Sequence, residues 1–239
     1  MNIFIVNGSP RGTKGYTHRV IELFAEGARE AGAEVTIEQL AQKKIHHCTG
    51  ELACWTKTPG KCIHKDDMAK LLPQMTEADG VVFATPVYVD GMTGLLKNFF
   101  DRCVPSAQPF MEMRDGHIRH PSRHGNSPRV ALISTCGFLE MDNFDPLVHH
   151  IKAICKNMNA VYAGAVLYPA APAMDAMKFM HPLKLRKIKT AIRTAGEQFV
   201  TSGSIDEETA KVVAQPLFTV EQYMDAANKG FKKKIDKLG

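Results

Sequence analysis

The sequence lacks any apolar run that approaches the roughly 20 residues of a membrane-spanning helix. Its first residues also lack a basic region followed by an apolar core, which predicts that the chain has no secretion signal. We therefore expect a cytoplasmic protein that does not associate with membranes. The six cysteines of a cytoplasmic chain are expected to be free thiols, metal ligands or redox groups rather than structural disulfides.

The sequence has little excess charge of either sign. Its formal net charge is +5 over 239 residues, and the basic side chains are scattered. The lysine-rich segment 229–237 predicts a solvated helix face, and we expect no nucleic-acid partner. An apolar fraction of 44% and a charged fraction of 23% are ordinary for a globular protein. The length fits one α/β domain with an elaboration, or at most two small domains.

Segment 2–17 passes from an apolar run, through small and polar residues, into an amphipathic helix. The run from Ile3 to Val6 predicts a strand buried on both faces. The residues that follow offer flexible backbone, hydroxyl groups, one guanidinium and the free N–H groups of a helix start. They are Gly8, Ser9, Arg11, Gly12, Thr13, Gly15 and Thr17. This composition predicts a site for a phosphate-bearing ligand at the carboxyl edge of a sheet.

Two common phosphate loops do not match this segment. Counting the nucleoside-triphosphatase pattern from Gly8 places Thr13, Lys14 and Gly15 at the positions that require Gly, Lys and Ser or Thr. The dinucleotide fingerprint requires a second glycine where this chain has Pro10. An ordinary strand–helix turn that binds nothing remains the alternative.

Hydrophobic periodicity predicts that strands and helices alternate five times. The predicted later strands are 35–40, 81–84, 130–133 and 161–167. The first predicted helix is 17–31, and the second is a short helix that begins after Asp66 or Asp67 and is kinked or shortened at Pro73. A third helix begins at Thr93, and a fourth has Pro146 in its first turn. Such alternation indicates a parallel sheet covered on both faces. Loops rich in Gly, Ser and Thr follow the first, third and fourth strands, where ligands of these sheets bind.

Residues 168–239 do not continue this alternation. They predict a linker at 168–172, a helix over 183–200 and a last helix opened by a capping box of Thr219 and Gln222. We therefore predict a domain at 1–167 and a helical C-terminal extension at 168–239 that packs on the same domain.

Three motifs then carry a resemblance to a known family. They are Asn7-Gly8-Ser9-Pro10-Arg11 followed by Tyr16-Thr17, Thr85-Pro86-Val87-Tyr88 with Gly91, and Leu96-Lys97 to Asp101-Arg102. Over roughly residues 1–167 the chain resembles the flavodoxin-like NADPH-dependent FMN reductases, and the iron–sulfur flavoproteins in particular. The resemblance implies a five-stranded parallel sheet of order 2-1-3-4-5 and one bound FMN.

The resemblance also implies which residues bind FMN. Ser9, Arg11 and Thr17 would hold the phosphate, with Tyr16 contributing backbone where the family usually has Asn. Pro86, Val87, Tyr88 and Gly91 would lie along the isoalloxazine ring, and Thr135, Cys136 and Gly137 would close its other edge. An ordinary core aromatic is the alternative for Tyr88. No side chain is required as a nucleophile or proton carrier, so we predict no catalytic residue.

The cysteine loop departs from the family pattern. Iron–sulfur flavoproteins typically read Cys-x-x-Cys-x-x-Cys with a fourth Cys downstream. Cys48, Cys54 and Cys62 fit this spacing, but Glu51 replaces the second cysteine. Because such clusters normally take four thiolates, we expect free thiols and no iron–sulfur cluster or other metal. A cluster with a carboxylate ligand and a zinc site completed by His46, His47 or His64 are the alternatives.

The expected function is that of an FMN-dependent NAD(P)H oxidoreductase, of flavin- or quinone-reductase type, that passes electrons to an acceptor. The alternative is an electron-transfer flavoprotein of the iron–sulfur flavoprotein type with a protein partner. A flavin-sensing binding module and a thiol hydrolase using Cys136 with His149 or His150 are further alternatives. The resemblance further implies a homodimer or homotetramer. The insertion 104–129 could cover a second ligand with its arginines, or could be a solvated or oligomer-contacting loop.

Overall fold

The computed structural model describes residues 1–125 and 127–237 and contains a five-stranded parallel sheet. Asn126 of the predicted insertion and residues 238–239 of the predicted extension lie outside the described residues. The sheet strands are β1 (Asn2–Asn7), β2 (Glu34–Gln39), β3 (Gly80–Pro86), β6 (Arg129–Thr135) and β7 (Val161–Tyr168), and a separate hairpin consists of β4 (Glu112–Arg114) and β5 (His117–Arg119). The order β2-β1-β3-β6-β7, parallel throughout, confirms the predicted order 2-1-3-4-5.

Helices cover both faces of the sheet. They are α1 (Tyr16–Glu30), α2 (Ala53–Thr56), α3 (Met68–Glu77), α4 (Gly94–Asp101), α5 (Asp145–Met158), α6 (Met174–Met180), α7 (Pro182–Thr201), α8 (Glu207–Val213) and α9 (Val220–Ile235). Successive strand side chains point to opposite faces. Ile3 and Ile5 therefore belong to one core with α1 and α7, while Phe4 and Val6 belong to a second core with α3, α4 and α5.

Helix α7 of the extension packs directly on α1 through two glycines. A Cβ atom on Gly27 would lie 1.9 Å from the carbonyl oxygen of Arg193, and one on Gly196 would lie 2.0 Å from that of Phe24. The two backbones can approach this closely only because neither glycine has a side chain. The extension is thus part of the core on the α1 face of the sheet. No helix in the described ranges combines the length and apolarity needed to cross a bilayer.

Two local predictions differ from the structure. Helix α3 continues through Pro73 to Glu77, so the predicted shortening at the proline is wrong, while the alternative, a kink, stays a prediction. Part of the insertion forms the β4–β5 hairpin, whose turn residues Asp115 and Gly116 have φ values of +52° and +74°. Positive φ at both central residues is typical of the tightest hairpin turns.

Candidate functional site

The structure brings the three loops rich in Gly, Ser and Thr together at the carboxyl edge of the sheet. The first loop meets β3 and the second loop, because the Gly8 N–H donates to the Ala84 carbonyl at 2.7 Å and the Thr93 hydroxyl donates to the Gly8 carbonyl at 2.6 Å. The second loop meets the third through the Val87 N–H, which donates to the Thr135 carbonyl at 2.8 Å.

The first loop is a compact turn that leads into an uncapped helix. The Ser9 N–H donates to Asn7 Oδ1 at 3.0 Å, and the Ser9 hydroxyl accepts the Arg11 N–H at 3.3 Å. Gly15 occupies the N-cap of α1 and supplies no capping side chain. A Cβ on Gly15 would lie 2.7 Å from Ser9 Oγ. The first-turn N–H groups of α1 therefore begin beside the Ser9 turn, which fits an anion such as a phosphate.

Two of the residues predicted to bind the phosphate, Arg11 and Tyr16, are less buried than Ser9. Arg11 is exposed. Tyr16 is half-buried, with the Arg19 guanidinium 5.1 Å from its ring centroid and its hydroxyl 3.5 Å from the Pro172 carbonyl. The Tyr16 side chain therefore faces the extension, and a contact of its backbone N–H with a phosphate stays a prediction.

Thr17 and Thr135 join the first and third loops. Their hydroxyl oxygens lie 2.8 Å apart, and both side chains are buried. Because the hydroxyl of each threonine can donate and accept, one of the two retains a proton for another acceptor.

The second loop contains a strained tight turn. Tyr88 and Gly91 exchange backbone hydrogen bonds of 2.9 and 3.1 Å, and Val89 and Asp90 between them have φ values of +47° and +58°. A β-branched residue at positive φ is an outlier, and such strain concentrates at ligand sites. Tyr88 is 47% exposed, so its interpretation as a core aromatic is wrong. Pro86, Val87 and Gly91 are partly exposed at the same edge.

The third loop is held by the extension. Three consecutive carbonyls, those of Cys136, Gly137 and Phe138, accept hydrogen bonds from the Ala171 N–H at 2.9 Å, the Tyr223 hydroxyl and the Ala170 N–H at 2.8 Å. Burial raises the pKa of the Cys136 thiol. The thiol therefore stays protonated, which argues against the hydrolase hypothesis.

The sequence does not indicate the contacts that three residues make at this edge. It presents Asn7 only as part of a motif, although Asn7 orders the first loop through Ser9, and it presents Thr93 as a helix start rather than as a contact of Gly8. Tyr223 was missed because its acceptor, Gly137, is 86 positions away. The only signal near Tyr223 was the capping box, which the structure confirms.

The cysteine loop has donors that do not match a four-thiolate cluster. Cys48 is exposed, Cys54 is buried and Cys62 is partly buried. Glu51 is exposed, and its carboxylate accepts the Thr49 hydroxyl at 2.7 Å. The residues that the structure describes contain no group of three or more His, Cys, Asp or Glu side chains arranged to hold a metal ion.

A buried ion pair anchors this loop to α4. Arg102 donates to Asp66 at 2.6 and 3.1 Å and to the His46 carbonyl at 2.7 Å, and both charged side chains are 1% exposed. Burial alone would raise the pKa of Asp66, but the hydrogen bonds from Arg102 and from the His46 N–H outweigh it and lower the pKa. The sequence presents Arg102 only as part of a motif and gives no sign of this buried pair.

Three arginines of the insertion, Arg114, Arg123 and Arg129, lie away from the three loops, toward the opposite edge of the sheet. Arg114 donates to the Lys156 and Asn157 carbonyls at the end of α5, and Arg123 donates to the Pro105 and Ala107 carbonyls. Arg129 begins β6, whose other end carries Thr135. Within one chain, these three arginines therefore do not cover the three loops.

The cavities beside the insertion and the cysteine loop are also separate from the three loops. One of about 440 Å³ lies between α4, α5 and the insertion, and one of about 940 Å³ runs along α3 beside Cys62. Neither is lined by a residue of the three loops. The candidate site is therefore identified by its hydrogen-bond donors and by its position at the carboxyl edge of the sheet, and not by a cavity.

Residues 1–165 match the family described as NADPH-dependent FMN reductase. An iron–sulfur flavoprotein of Methanocaldococcus jannaschii is 42% identical over 103 residues, which cover 43% of this chain and 50% of that protein. The chain spans about half the length of the curated relatives it matches.

Solved structures share the fold at low sequence identity. An FMN-dependent NADH-azoreductase from Bacillus anthracis in complex with FMN has a TM-score of 0.63 at 15% identity, over 84% of this chain and 99% of that one. An NAD(P)H:quinone oxidoreductase from Methanothermobacter marburgensis has a TM-score of 0.58 at 17% identity, over 83% and 96% of the two chains. The match over residues 1–165 shows that this chain belongs to the NADPH-dependent FMN reductase family.

Proposed function

We propose that the protein is an FMN-dependent NAD(P)H oxidoreductase. The observation that carries the proposal is the uncapped start of α1 beside the Ser9 turn, at an edge shared by two further ligand-type loops. The family match and the flavin-binding fold neighbours support it. When bound, FMN would accept hydride from the nicotinamide and pass electrons onward.

The first loop would hold the FMN phosphate. The backbone N–H groups of Tyr16 and Thr17 lie in the first turn of α1, where the helix dipole favours a negative charge. The Ser9 and Thr17 hydroxyls add hydrogen bonds, and the exposed Arg11 side chain adds a positive charge from solvent.

The second and third loops would hold the flat isoalloxazine ring. Pro86, Val87, Tyr88 and Gly91 would line one side, and Thr135, Cys136 and Gly137 would close the other edge. The exposed Tyr88 ring offers an apolar wall. These residues would orient the ring and limit water access, and none of them needs to transfer a proton.

An anaerobic absorption spectrum, followed by addition of NADPH, tests this function. Resolved flavin bands that bleach on addition of NADPH would support it. A colourless protein that also fails to take up added FMN would refute it. Air, a quinone and an azo dye would then be compared as acceptors, because quinone and azo reductases are among the fold neighbours.

Electron transfer to a protein partner is the second candidate, and it is favoured by the identity to iron–sulfur flavoproteins. We propose that this chain binds no cluster, because its loop offers three thiols and the Glu51 carboxylate. About four iron atoms and four acid-labile sulfides per chain in anaerobically purified protein would make electron transfer to a protein partner the preferred function.

A homodimer or homotetramer and a cytoplasmic location stay predictions. Light scattering would measure the oligomeric state.

A further inference from the structure

Helix α9 of the extension carries a tyrosine to the third loop. Tyr223 donates its hydroxyl hydrogen to the carbonyl of Gly137, which is one of the residues proposed to close the ring edge. Residues 220–235 lie beyond the part of the chain that matches the reductase family. The contact is therefore a property of this chain that the family match does not describe.

Local structure fixes the Tyr223 side chain. The Thr219 hydroxyl accepts the Gln222 N–H at 3.2 Å, and the Gln222 side chain accepts the Thr219 N–H at 3.1 Å, so the first turn of α9 is capped in both directions. Phe218, just before the cap, lies 6.4 Å from the Tyr223 ring, and His181 lies 5.9 Å from Phe218. This pairing across the cap is a hydrophobic staple, which sets the direction of the helix entry.

The hydroxyl is available as a donor at neutral pH. Burial raises the pKa of Tyr223, and the nearby Cys136, Tyr16 and Glu140 raise it further. The phenol therefore stays protonated.

Hydrogen bonds from the extension orient both peptide units that flank Gly137. The carbonyl of the Cys136–Gly137 unit accepts from Ala171, and that of the Gly137–Phe138 unit accepts from Tyr223. Because the N–H and C=O of a trans peptide point in opposite directions, the Gly137 N–H points away from Ala171. The second unit has one further contact, because the Phe138 N–H donates to Cys136 Sγ at 3.4 Å. Glycine has no side chain to restrict its backbone, so without Tyr223 the unit would be left with this weaker bond to sulfur and would rotate more freely.

We propose that Tyr223 is a positioning residue that holds the Gly137 peptide in the orientation that binds the FMN ring edge. The inference rests on the proposed function and adds the C-terminal extension to the cofactor site. It identifies a residue for FMN affinity that touches the third loop rather than the cofactor itself.

The test compares Tyr223→Phe with a matched control, Tyr162→Phe. Tyr223→Phe keeps the ring of the staple and removes only the hydroxyl. Tyr162 is a half-buried tyrosine near the start of β7, away from the three loops. FMN is removed from each purified full-length protein and titrated back while quenching of flavin fluorescence is followed, and the melting temperature of each apoprotein is measured.

We expect Tyr223→Phe to raise the FMN dissociation constant roughly threefold to tenfold, as loss of one hydrogen bond predicts. The visible circular dichroism of the bound flavin should also change, which a role confined to anchoring α9 would not produce. A dissociation constant within twofold of wild type, or an equal rise in Tyr162→Phe, would overturn the positioning role. A lower apoprotein melting temperature with unchanged FMN affinity would also overturn it, since Tyr223 would then only anchor α9. If the wild-type apoprotein fails to bind FMN, the proposed function itself fails.

Discussion

At the scale of single residues, the hydroxyls of Thr17 and Thr135 are a direct side-chain link between the first and third loops. They lie 2.8 Å apart in a buried position. A hydroxyl that loses such a partner keeps its desolvation cost, whereas removal of both hydroxyls leaves an apolar contact of similar shape. The pair is therefore expected to behave as a unit.

The double-mutant cycle of Thr17→Val and Thr135→Val tests this. Each single variant should lose about 1–3 kcal/mol of unfolding free energy, because the remaining hydroxyl is buried without its partner. The double variant should lose clearly less than the sum, with a coupling energy of about 1 kcal/mol. Urea unfolding of the apoproteins measures all four corners of the cycle, and strictly additive losses would contradict the link.

The Arg102–Asp66 pair is a second interaction between single residues, and it makes stability depend on pH. Hydrogen bonds from Arg102 and His46 lower the pKa of Asp66 below its value in the unfolded chain, which is about 4. The pair therefore contributes its full stability above pH 4 and loses it as the pH falls through the folded-state pKa.

Asp66→Asn should lower the unfolding free energy at pH 7 by about 3–5 kcal/mol, because it leaves the Arg102 charge buried without its counterion. It should also flatten the fall in stability below pH 4. Asp101→Asn is the control: its carboxylate pairs with Lys97 at 2.6 Å, and both side chains are about half exposed. That variant should stay within about 0.5 kcal/mol of wild type. Equal losses of unfolding free energy in the two variants at pH 7 would mean that the buried pair contributes no more to stability than the exposed one.

At the scale of elements, the crossing of α1 and α7 depends on Gly27 and Gly196. Gly196→Ala would place a Cβ 2.0 Å from the Phe24 carbonyl oxygen. Since a helix backbone cannot yield locally, the two helices must separate, and the cost should exceed the roughly 1–3 kcal/mol of ordinary overpacking.

Gly230→Ala is the matched control for this crossing. Gly230 lies in α9, and a Cβ there would meet no atom within 4 Å. Alanine should raise stability slightly, by up to about 1 kcal/mol, because it has the better helix propensity. Urea unfolding of both variants measures the contrast, and a Gly196→Ala protein as stable as wild type would show that the close approach is not required.

The elements differ in how far the sequence predicts them. The five sheet strands were predictable because segments such as Ile3–Val6 and Val81–Ala84 are continuously apolar. The β4–β5 hairpin was missed because its strands are three residues each and exposed, although Asp115-Gly116 is a typical hairpin turn. The sequence also predicts that the three loops meet at one edge of the sheet, but it does not show that the extension holds the third loop. Every residue has a backbone carbonyl, so the residue type does not show which carbonyl, such as that of Gly137, accepts a hydrogen bond from a distant side chain. The FMN contacts of the site residues stay predictions.

At the scale of the whole molecule, the extension completes the core on the α1 face. Val20, Phe24 and Ala28 of α1 are 0% exposed, and they share one core with apolar side chains of α7, α8 and the segment after α8. Those partners are Leu185, Ile188, Ile192, Ala195, Phe199, Val213 and Leu217. Without them, the outer face of α1 would be exposed to water. Each Å² of apolar surface exposed in this way lowers the free energy of unfolding by about 25 cal/mol.

We therefore expect residues 1–167 alone not to fold cooperatively, although they contain the whole segment that matches the reductase family and all the proposed FMN ligands. The loss is twofold: α1 loses its outer cover, and the third loop loses the donors Ala170, Ala171 and Tyr223. The truncated chain should show a broad thermal transition, bind a hydrophobic dye and retain no measurable FMN affinity. A sharp transition without dye binding, combined with lost FMN affinity, would instead mean that the extension serves the site and not the core. Cooperative folding with unchanged FMN affinity would make the extension dispensable for both.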